Sequence, residues 1–558
     1  MDWIKILVFA MAFMVAASPW AMAGSKIKHD AEYYILEAQH GKQWAKDDKA
    51  VDAKLAEFNK NNGGKAPNIL YILVDDIGYG DMGIPELNAL RGYETPHVNK
   101  LADQGMRLSR MYTEPSCTPT RVAMMTGRQP YRNGMGDTAV DIAGFGIAGK
   151  EVTLAEVLSD AGYNTVHIGK WHMGDIEESW PHNQGFDYAA FPVHQQGQLT
   201  IFHDDAANEE IAYAMGENNY DSKFTKDRWF RPDASHMVTA LEAKKGGKPK
   251  EVHMKAGERW NEKKYEEMNY RYQDQAMEHL KKLAAKDEPF FLQYWPLYPL
   301  TGPRVPYEQY TTSNGGTYVE KLKLLDQWVG DIMNEMGKLG IADNTILVLM
   351  GDNGHFTKYS PGSGFTPMIF RGGKGDTTEG GVRVDAFVKW PGMIEADSIV
   401  SDIFHVTDLF TTLSRLAGAE DNIPTDRLVD GVDQSALLLM GETKGRRDHV
   451  MIYTGNTLAA VVKEHLKLEV PPPGENPIGA KFYDLQRDTR EEWSVSTEVG
   501  AWGGAEFVRV IQRHMMRKQK FPDEGPARGV PYDGISNLRP ESKAAVKAFL
   551  TKQKASMM

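Results

Sequence analysis

The chain has 558 residues, enough for roughly two to four domains or one large α/β unit, and its hydrophobic (41%) and charged (25%) fractions are those of a folded globular protein. The formal net charge of −12 excludes a general nucleic-acid binder, because such a protein needs a basic face. A single cysteine excludes an internal disulfide, so stability depends on the size of the core.

The amino terminus has the three parts of a secretory signal. Lys5 supplies a positive charge, residues 6–17 are apolar, and Ala21-Met22-Ala23 is a small-x-small cleavage motif. The apolar stretch is shorter than the ~20 residues that a spanning helix needs. We expect a signal peptide over residues 1–23, a periplasmic or secreted protein, and no stable membrane insertion after cleavage. An uncleaved anchor is the alternative.

Residues 24–66 are predicted to form a helical extension that ends in the linker Asn61-Asn62-Gly63-Gly64. Its candidate core contacts are Tyr33, Ile35, Leu36, Val51, Leu55 and Phe58. Residues 68–74 then form a nearly continuous apolar run, which is typical of a strand buried on both faces of a parallel sheet. The run ends in Asp75-Asp76, where α/β enzymes place their ligands.

The alternation of helix and strand continues along the chain. The predicted helices are 153–161, 265–285 and 319–339, and the strands that follow them are 163–168, 290–295 and 345–350. This pattern predicts an α/β fold with a doubly wound, mostly parallel sheet flanked by helices.

Two regions depart from this alternation. Residues 201–262 are polar, and we expect an irregular insertion over the strand ends. The lysines clustered in it, predicted to be solvated, are Lys244, Lys245, Lys248 and Lys250. Residues 441–558 are predicted to form a smaller carboxy-terminal α+β subdomain with a short antiparallel sheet.

Oxygen-bearing side chains follow two of the predicted strands. Asp75-Asp76 ends one strand and Asp352-Asn353 follows another. Sets made only of oxygen ligands select Ca²⁺ or Mg²⁺ over zinc or copper. Either pair alone could instead cap a helix. Because both pairs end apolar runs, we expect a calcium site, with magnesium as the second choice.

Two further segments carry cationic side chains. Lys170 and His172 follow a strand, and an extended backbone there would point both side chains to one side. A lysine for anion charge and a histidine for proton transfer suit a phosphoryl or sulfuryl ester site. Residues 371–381 are rich in glycine around Lys374, which could reach an oxyanion. Surface decoration and a flexible turn are the alternatives.

The single cysteine, Cys117, lies in Ser116-Cys117-Thr118-Pro119-Thr120-Arg121. Cys-x-Pro-x-Arg is the pattern read by enzymes that oxidise cysteine to formylglycine. The alternative is a small buried hydrophobic residue.

Together these motifs resemble the type I, formylglycine-dependent sulfatases of the alkaline-phosphatase superfamily. The matching segments, in the family's order, are 68–81, 117–121, 126–128, 169–174, 184–187, 352–354, 372–381, 390–392 and 482–485. The resemblance implies an alkaline-phosphatase-like fold, a catalytic domain over residues 67–440 and a carboxy-terminal subdomain over residues 441–558.

The resemblance also implies roles for single residues. Cys117 would become formylglycine through a formylglycine-generating enzyme. One hydroxyl of its hydrate would attack sulfur, and the second would then expel sulfate. Arg121 and Lys170 would stabilise the alkoxide of the hydrate. His172 would accept the proton of the second hydroxyl, and Lys374 would bind the sulfate. The implied calcium ligands are Asp75, Asp76, Asp352 and Asn353.

One position departs from the family pattern. Many members carry a histidine that protonates the leaving group where this chain has Leu300. We expect His194 to substitute as a substrate-binding acid, with His355 as the second candidate, unless Lys374 acts alone. Asp385 stands where the family usually has proline, and no chemical role is predicted for it.

The leading functional hypothesis is hydrolysis of the sulfate ester of a small molecule or a glycan, in the manner of an arylsulfatase. An aryl ester would need the missing acid least. The alternatives are a phosphonate or phosphodiester hydrolase, a non-catalytic protein that binds sulfated glycans, and a sulfate transferase.

Overall fold

The structure is a computed structural model. It describes residues 27–138, 144–192, 238–256, 258, 262–299, 316–356, 369–471, 480–496, 499–500, 503–532 and 534. The predicted signal peptide, His194 and Leu300 lie outside these residues.

The helices are α1 (Ala31–Asn61), α2 (Pro85–Leu90), α3 (Pro96–Asp103), α4 (Cys117–Thr126), α5 (Leu154–Asp160), α6 (Glu262–Ala284), α7 (Gly316–Lys338), α8 (Glu379–Val382), α9 (Asp408–Leu416), α10 (Ser435–Met440) and α11 (Gly504–Lys520). The first ten strands are β1 (Asn68–Val74), β2 (Met106–Leu108), β3 (Met111–Tyr112), β4 (Phe145–Gly146), β5 (Asn164–Gly169), β6 (Tyr188–Phe191), β7 (Val238–Lys244), β8 (Lys250–His253), β9 (Phe290–Trp295) and β10 (Thr345–Gly351). The later strands are β11 (Arg383–Val384), β12 (Ala386–Lys389), β13 (Ser398–Val400), β14 (Phe404–His405), β15 (His449–Thr454), β16 (Thr457–Lys463), β17 (Leu466–Glu469), β18 (Lys481–Asp484) and β19 (Ala527–Arg528).

One large sheet dominates the described part of the chain, in the order β13-β2-β12-β10-β1-β9-β5-β6-β7-β8. Its central strands are parallel: β1 pairs with β10 and β9, and β5 pairs with β9 and β6. The antiparallel pairs lie toward the two edges, such as β12 with β10 and β7 with β6. The prediction of a mostly parallel sheet is therefore confirmed.

The side chains of β1 alternate between two hydrophobic cores, one on each face of the sheet. One core takes Ile69, Tyr71 and Leu73, and the other takes Leu70, Ile72 and Val74. Helices α4, α5 and α9 complete the first core, and helices α3, α6 and α7 complete the second. Because both faces are covered, this strand needs an apolar residue at every position, as predicted.

The expectation of irregular structure over residues 201–262 is wrong for its described carboxy-terminal part. Strands β7 and β8 form a hairpin that extends the sheet, and Val238 and Leu241 are buried in the core. The apolar pattern of the two strands is short and is interrupted by the lysine-rich connection, so the sequence did not predict them. The lysines themselves are exposed, as expected.

Helix α1 lies across the catalytic region and the carboxy-terminal part, in contact with α10 and α11. Leu36 and Val51 are buried, and Leu55 and Phe58 pack partly buried against the core. Trp44, which the sequence analysis did not select, is also buried. The helix is therefore part of the folded body.

Strands β15 to β18 form a separate antiparallel sheet, and α11 packs beside it through Phe507. This confirms the expected small carboxy-terminal sheet, whereas the domain boundaries stay predictions. Among the described residues, every helix is too short or too polar to pass through a lipid bilayer.

Candidate active site

The register of the central strands brings the acidic pairs together. In the parallel pair of β1 and β10, Val74 lies opposite Gly351. The residues that follow, Asp75 and Asp352, therefore leave the same edge of the sheet side by side. The backbone N–H of Asp76 donates to Asp352 Oδ1 at 3.0 Å, which joins the two loops.

The acidic cluster is fully enclosed. One ligand atom from each of Asp75, Asp76, Asp352 and Cys117 lies within 4.8 Å of the others. Asn353 Nδ2 donates to Asp76 Oδ1 at 2.8 Å, which places the amide at the same point. All five residues are buried.

Two oxygens in this cluster are buried without a hydrogen-bond partner in the described structure: Asp75 Oδ2 and Asn353 Oδ1. Buried acceptors are costly to leave unsatisfied. A hard cation would satisfy both oxygens and neutralise part of the carboxylate charge. The donor set therefore fits Ca²⁺ or Mg²⁺.

Cys117 is the first residue of α4, and its side chain points into the acidic cluster. Lys374 Nζ donates to its Sγ at 2.9 Å, and the thiol lies 3.5 Å from Asp76 Oδ1. Burial raises the pKa of the thiol well above its ordinary value, and the charges of Asp352 and Asp76 add to the effect. The thiol is therefore protonated at neutral pH and is a poor nucleophile as it stands.

Arg121 lies one turn after Cys117 and binds two of the acids. Its Nη2 is 2.8 Å from Asp352 Oδ2 and 3.2 Å from Asp75 Oδ1, and its Nη1 donates to the Lys170 carbonyl at 2.8 Å. The guanidinium lies over the Trp295 ring, 4.9 Å from the centroid. These contacts hold the cation rigidly inside the protein.

Lys170 forms the shortest ion pair of the site, with its Nζ 2.6 Å from Asp75 Oδ1. Burial acts to raise the pKa of Asp75, but the charges of Lys170 and Arg121 outweigh it and hold that pKa below its ordinary value. Burial and the charge of Asp75 raise the pKa of Asp352 to about 6. The pKa values of these adjacent carboxyl groups thus differ because Asp75 contacts both Lys170 and Arg121, whereas Asp352 contacts only the second of these cations.

The backbone around Lys170 is not extended, so the condition under which Lys170 and His172 would point to one side is not met. Gly169 has φ +107° and His172 has φ +58°. A Cβ at Gly169 would lie 2.0 Å from the Trp295 carbonyl oxygen, so only glycine fits there. His172 is buried two residues beyond Lys170.

The glycine-rich loop reaches the cluster from a distant part of the chain. The Lys374 Nζ lies 2.9 Å from the Asp76 carboxylate as well as from Cys117. The loop backbone is held by two N–H donations, from Lys374 to the His355 carbonyl at 2.9 Å and from Gly375 to the Pro115 carbonyl at 2.7 Å. Burial lowers the pKa of His355 to about 4, so its ring is neutral near pH 7, which weakens it as a candidate acid.

Asp385, for which the sequence predicted no chemical role, is buried and holds a loop beside the site. Its Oδ2 accepts the N–H groups of Gly80 at 2.8 Å and Met82 at 3.4 Å, in the loop that follows the acidic pair of β1. Burial, together with the charge of Asp81, raises the pKa of Asp385 to about 8. The sequence indicated this position only by an acid where the family usually has proline. A proline side chain has no acceptor atom, so it could not accept these two N–H groups.

Comparison with known proteins agrees with this geometry. The profile of the Sulfatase family matches residues 67–419. N-acetylgalactosamine-6-sulfatase of Mus musculus is 32% identical over 416 residues, which cover 72% of this chain and 72% of that protein. Steryl-sulfatase of Rattus norvegicus is 31% identical over 505 residues (78% and 86%), and human arylsulfatase A is 32% identical over 394 residues (70% and 71%).

Among solved structures, the PsFucS1 sulfatase from Pseudoalteromonas sp. matches with a TM-score of 0.72 and 27% identity, over 86% of this chain and 96% of that chain. The alkaline-phosphatase-like fold expected from the sequence is thereby confirmed. The chain belongs to the sulfatase family of sulfuric ester hydrolases.

Proposed function

We propose that the protein hydrolyses sulfate esters through a formylglycine formed from Cys117, beside a divalent cation. The observation that carries the proposal is the position of Cys117, at the start of α4 and within contact of both Asp76 and Lys374. The proposed ligands of the cation are Asp75, Asp76, Asp352 and Asn353. Ca²⁺ is favoured over Mg²⁺ because three carboxylates and an amide form an all-protein site, whereas Mg²⁺ usually keeps several waters and binds through one or two carboxylates.

The state of the thiol supports its conversion. A buried, protonated thiol next to carboxylates is a poor nucleophile, because the thiolate is the reactive form. Formylglycine supplies a hydrated aldehyde whose two hydroxyls allow first attack on sulfur and then release of sulfate. The same side-chain position therefore changes from inert to reactive.

The charges around Cys117 suit a sulfate ester. Three carboxylates are matched by three cationic side chains, Arg121, Lys170 and Lys374, through the contacts described above. A bound divalent cation would polarise the ester and leave the site with excess positive charge. An ester sulfate, which carries one negative charge, would complement that excess.

Each cationic residue has a proposed task. Arg121 and Lys170 are held rigidly and stabilise negative charge at the residue 117 side chain without reorganising. Lys374 reaches the same atom from the opposite loop and binds the sulfate. His172 accepts the proton when sulfate is expelled.

The group that protonates the leaving alcohol is proposed to be Lys374. Burial acts to lower its pKa, but the charge of Asp76 raises it well above the ordinary value, so the ammonium keeps its proton until the alkoxide forms. His194 stays a predicted substrate-binding alternative. An ammonium with so high a pKa is a weak proton donor, so it suits esters of acidic alcohols, which need a proton least when they leave. We therefore propose aryl sulfates as the substrates to test first.

The decisive experiment combines mass spectrometry with kinetics. After coexpression with a formylglycine-generating enzyme, we expect the peptide that contains residue 117 to carry the aldehyde. The protein should then hydrolyse 4-nitrophenyl sulfate in preference to phenylphosphonate esters. Cys117→Ala and Cys117→Ser should fold with unchanged thermal transitions and lose turnover.

Three results would contradict the proposal. Full activity of Cys117→Ser would show that turnover does not need formylglycine. A preference for the phosphonate ester would assign the chain to phosphonate hydrolysis. An aldehyde-bearing protein that binds sulfated glycans without turnover would be a binding protein. The periplasmic or secreted location stays a prediction.

A further inference from the structure

A buried ionic cluster joins the carboxy-terminal sheet to the element that follows the Lys374 loop. We call Glu379, Lys467 and Glu491 the anchor cluster. Lys467 comes from β17, and its Nζ lies 3.2 Å from Glu379 Oε1 and 2.9 Å from Glu491 Oε1. All three side chains are buried. Charges in such a place are stable only when they are paired.

The cluster holds Glu379 at both its side chain and its backbone. Glu491 Oε2 accepts the backbone N–H of Glu379 at 2.6 Å, and Glu379 Oε2 accepts the hydroxyl of Tyr112 at 2.9 Å. Glu491 has φ +55°, a backbone conformation that is uncommon for residues other than glycine. Arg383 Nη1 also lies 3.5 Å from Glu379 Oε2. The carboxy-terminal part, together with Tyr112 and Arg383, therefore fixes the direction as well as the position of Glu379.

Glu379 opens the short helix α8, which contacts two loops of the active site. The N–H of Gly380 donates to the Arg371 carbonyl at 2.9 Å, at the start of the Lys374 loop. The N–H of Gly354, next to the proposed ligand Asn353, donates to the Gly381 carbonyl at 2.9 Å. The contact is tight, because a Cβ at Gly354 would lie 1.8 Å from the Gly380 carbonyl oxygen.

A hydrophobic contact would hold the two parts of the chain together at least as well as an ionic one. What an ionic cluster adds is direction, because its hydrogen bonds are short and specific. A small displacement of Glu379 would be passed to the loop through Arg371 and to Lys374 within it. Misplacing a reacting group by about 1 Å can lower a rate by roughly a hundredfold.

We infer that Lys467 and Glu491 are positioning residues of the active site, which hold Glu379 so that the Lys374 ammonium stays aimed at residue 117. The inference rests on the proposed function in one respect, the sulfate-binding role of Lys374. It gives the carboxy-terminal sheet a direct part in the affinity for sulfate.

The main test uses the double variant Lys467→Met/Glu491→Gln, which removes the anchor without changing the net charge. We expect a folded protein in which amide hydrogen exchange across residues 371–381 is faster. The inhibition constant of inorganic sulfate and the KM for 4-nitrophenyl sulfate should both rise roughly tenfold or more. The matched control is Lys463→Met/Asp448→Asn, which removes a 2.6 Å ion pair from the same sheet away from the loop. It should leave all three quantities within twofold of the wild-type values.

A second variant, Glu379→Gln, separates positioning from the electric field and serves if the double variant does not fold. Removing this negative charge raises the positive potential near the site, so a field effect alone would tighten sulfate binding. Loss of position predicts weaker binding instead. Tighter or unchanged sulfate binding in Glu379→Gln, or unchanged exchange and KM in the folded double variant, would overturn the inference.

These outcomes are distinguishable from failure of the proposed function. If the aldehyde-bearing wild-type protein neither binds sulfate nor hydrolyses the ester, the proposed function is wrong. Faster exchange across residues 371–381 in the double variant alone would still support the anchoring role. Unchanged exchange would refute it independently of any activity.

Discussion

Ion pairs in two regions of the molecule lie in opposite environments. At the active site, Arg121 and Asp352 form a pair with no exposed side-chain surface. On α1, Asp48 and Asp52 pair with Arg415, and their side chains keep 34% and 67% of their exposure. Pairs of the second kind contribute about 0.2–1 kcal/mol each and are screened by salt.

The difference shows what each region is built for. Burying a charge costs free energy, and such charges are retained where a fixed electric field stabilises a reacting group. The exposed pairs instead hold a polar helix against the rest of the protein. The active-site charges should therefore govern turnover and respond strongly to substitution. The exposed charges of Asp48 and Asp52 on α1 should affect stability alone, by small amounts.

The largest expected effect is loss of turnover in Asp352→Asn. The asparagine keeps the shape of the side chain but removes the charge that pairs with Arg121 and, by proposal, binds the cation. We expect kcat/KM for 4-nitrophenyl sulfate to fall by roughly a hundredfold or more, with the fold retained. Asp402→Asn is the control, because Asp402 also accepts two backbone N–H groups, from Thr443 at 2.9 Å and Gly445 at 3.0 Å, near the surface. Equal losses of kcat/KM in both variants would show that the buried and the surface carboxylates do not differ in their effect on turnover.

Removal of the cation should have the next largest effect. The two unpartnered oxygens would lose their ligand, so chelation should lower both the activity and the melting temperature, and added Ca²⁺ should restore them. A ligand present at a hundred times its Kd stabilises a fold by about 2.7 kcal/mol. Thermal unfolding with and without chelator, with metal content measured on the same samples, tests this. A protein shown to be metal-free that melts and turns over as before would contradict the metal assignment.

Asp385 offers a third environment, because it is buried and held by backbone N–H groups. Its pKa is about 8 in the folded protein against an ordinary value of 3.8. The folded state therefore binds more protons between about pH 4 and about pH 8, and the stability that this provides is complete below pH 4 and is lost as pH rises toward 8. Each unit of difference corresponds to about 1.4 kcal/mol.

We accordingly expect Asp385→Asn to flatten the dependence of unfolding free energy on pH over that window and to be stabilising, relative to wild type, near pH 8. Denaturant titrations at several pH values would measure it. The exposed Glu395→Gln serves as the control. Parallel curves for wild type and Asp385→Asn would show that this carboxyl does not titrate in the window.

The smallest effect is expected on α1. Arg415→Met removes the pairs with Asp48 and Asp52 on α1 and a further pair with Asp433 at 2.8 Å, and should lower the unfolding free energy by about 1 kcal/mol, with kcat unchanged. In 1 M salt, where the Debye length is about 3 Å, the difference should shrink. Lys282→Met breaks an exposed pair with Glu278 within one helix and should have a smaller effect than Arg415→Met. A loss of unfolding free energy in Arg415→Met that persists in 1 M salt would show that these pairs behave like the buried pairs of the active site.

The framework of the site was predictable because it follows from hydrophobic patterning and strand ends. A strand that is apolar at every position needs two covered faces, and parallel strands place their carboxyl ends at one edge. Asp75 and Asp352 therefore came together as expected. The proposed role of Cys117 came from the resemblance to a family, since spacing alone says nothing about a modified cysteine.

Other features depend on contacts that a linear pattern does not contain. The turn at Gly169 is dictated by a carbonyl of β9, more than a hundred residues away, so the sequence could not decide whether the backbone around Lys170 is extended. Asp385 and Lys467 look like ordinary polar residues until the fold buries them beside their partners. Their contacts arise from tertiary burial, which sets the hydrogen bonding of both side chains and raises the pKa of Asp385.

The pairing of β1 with β10 has a kinetic consequence. Asp76 and Asp352 are 276 residues apart in the chain, so the proposed cation site cannot form until this long-range pairing has formed. Closing so large a loop comes late and slowly in folding. A cation cannot accelerate that search, because nothing in the unpaired chain binds it as the finished site would. It should instead slow unfolding, so a change in calcium concentration would be seen in the lifetime of the native state rather than in its rate of formation.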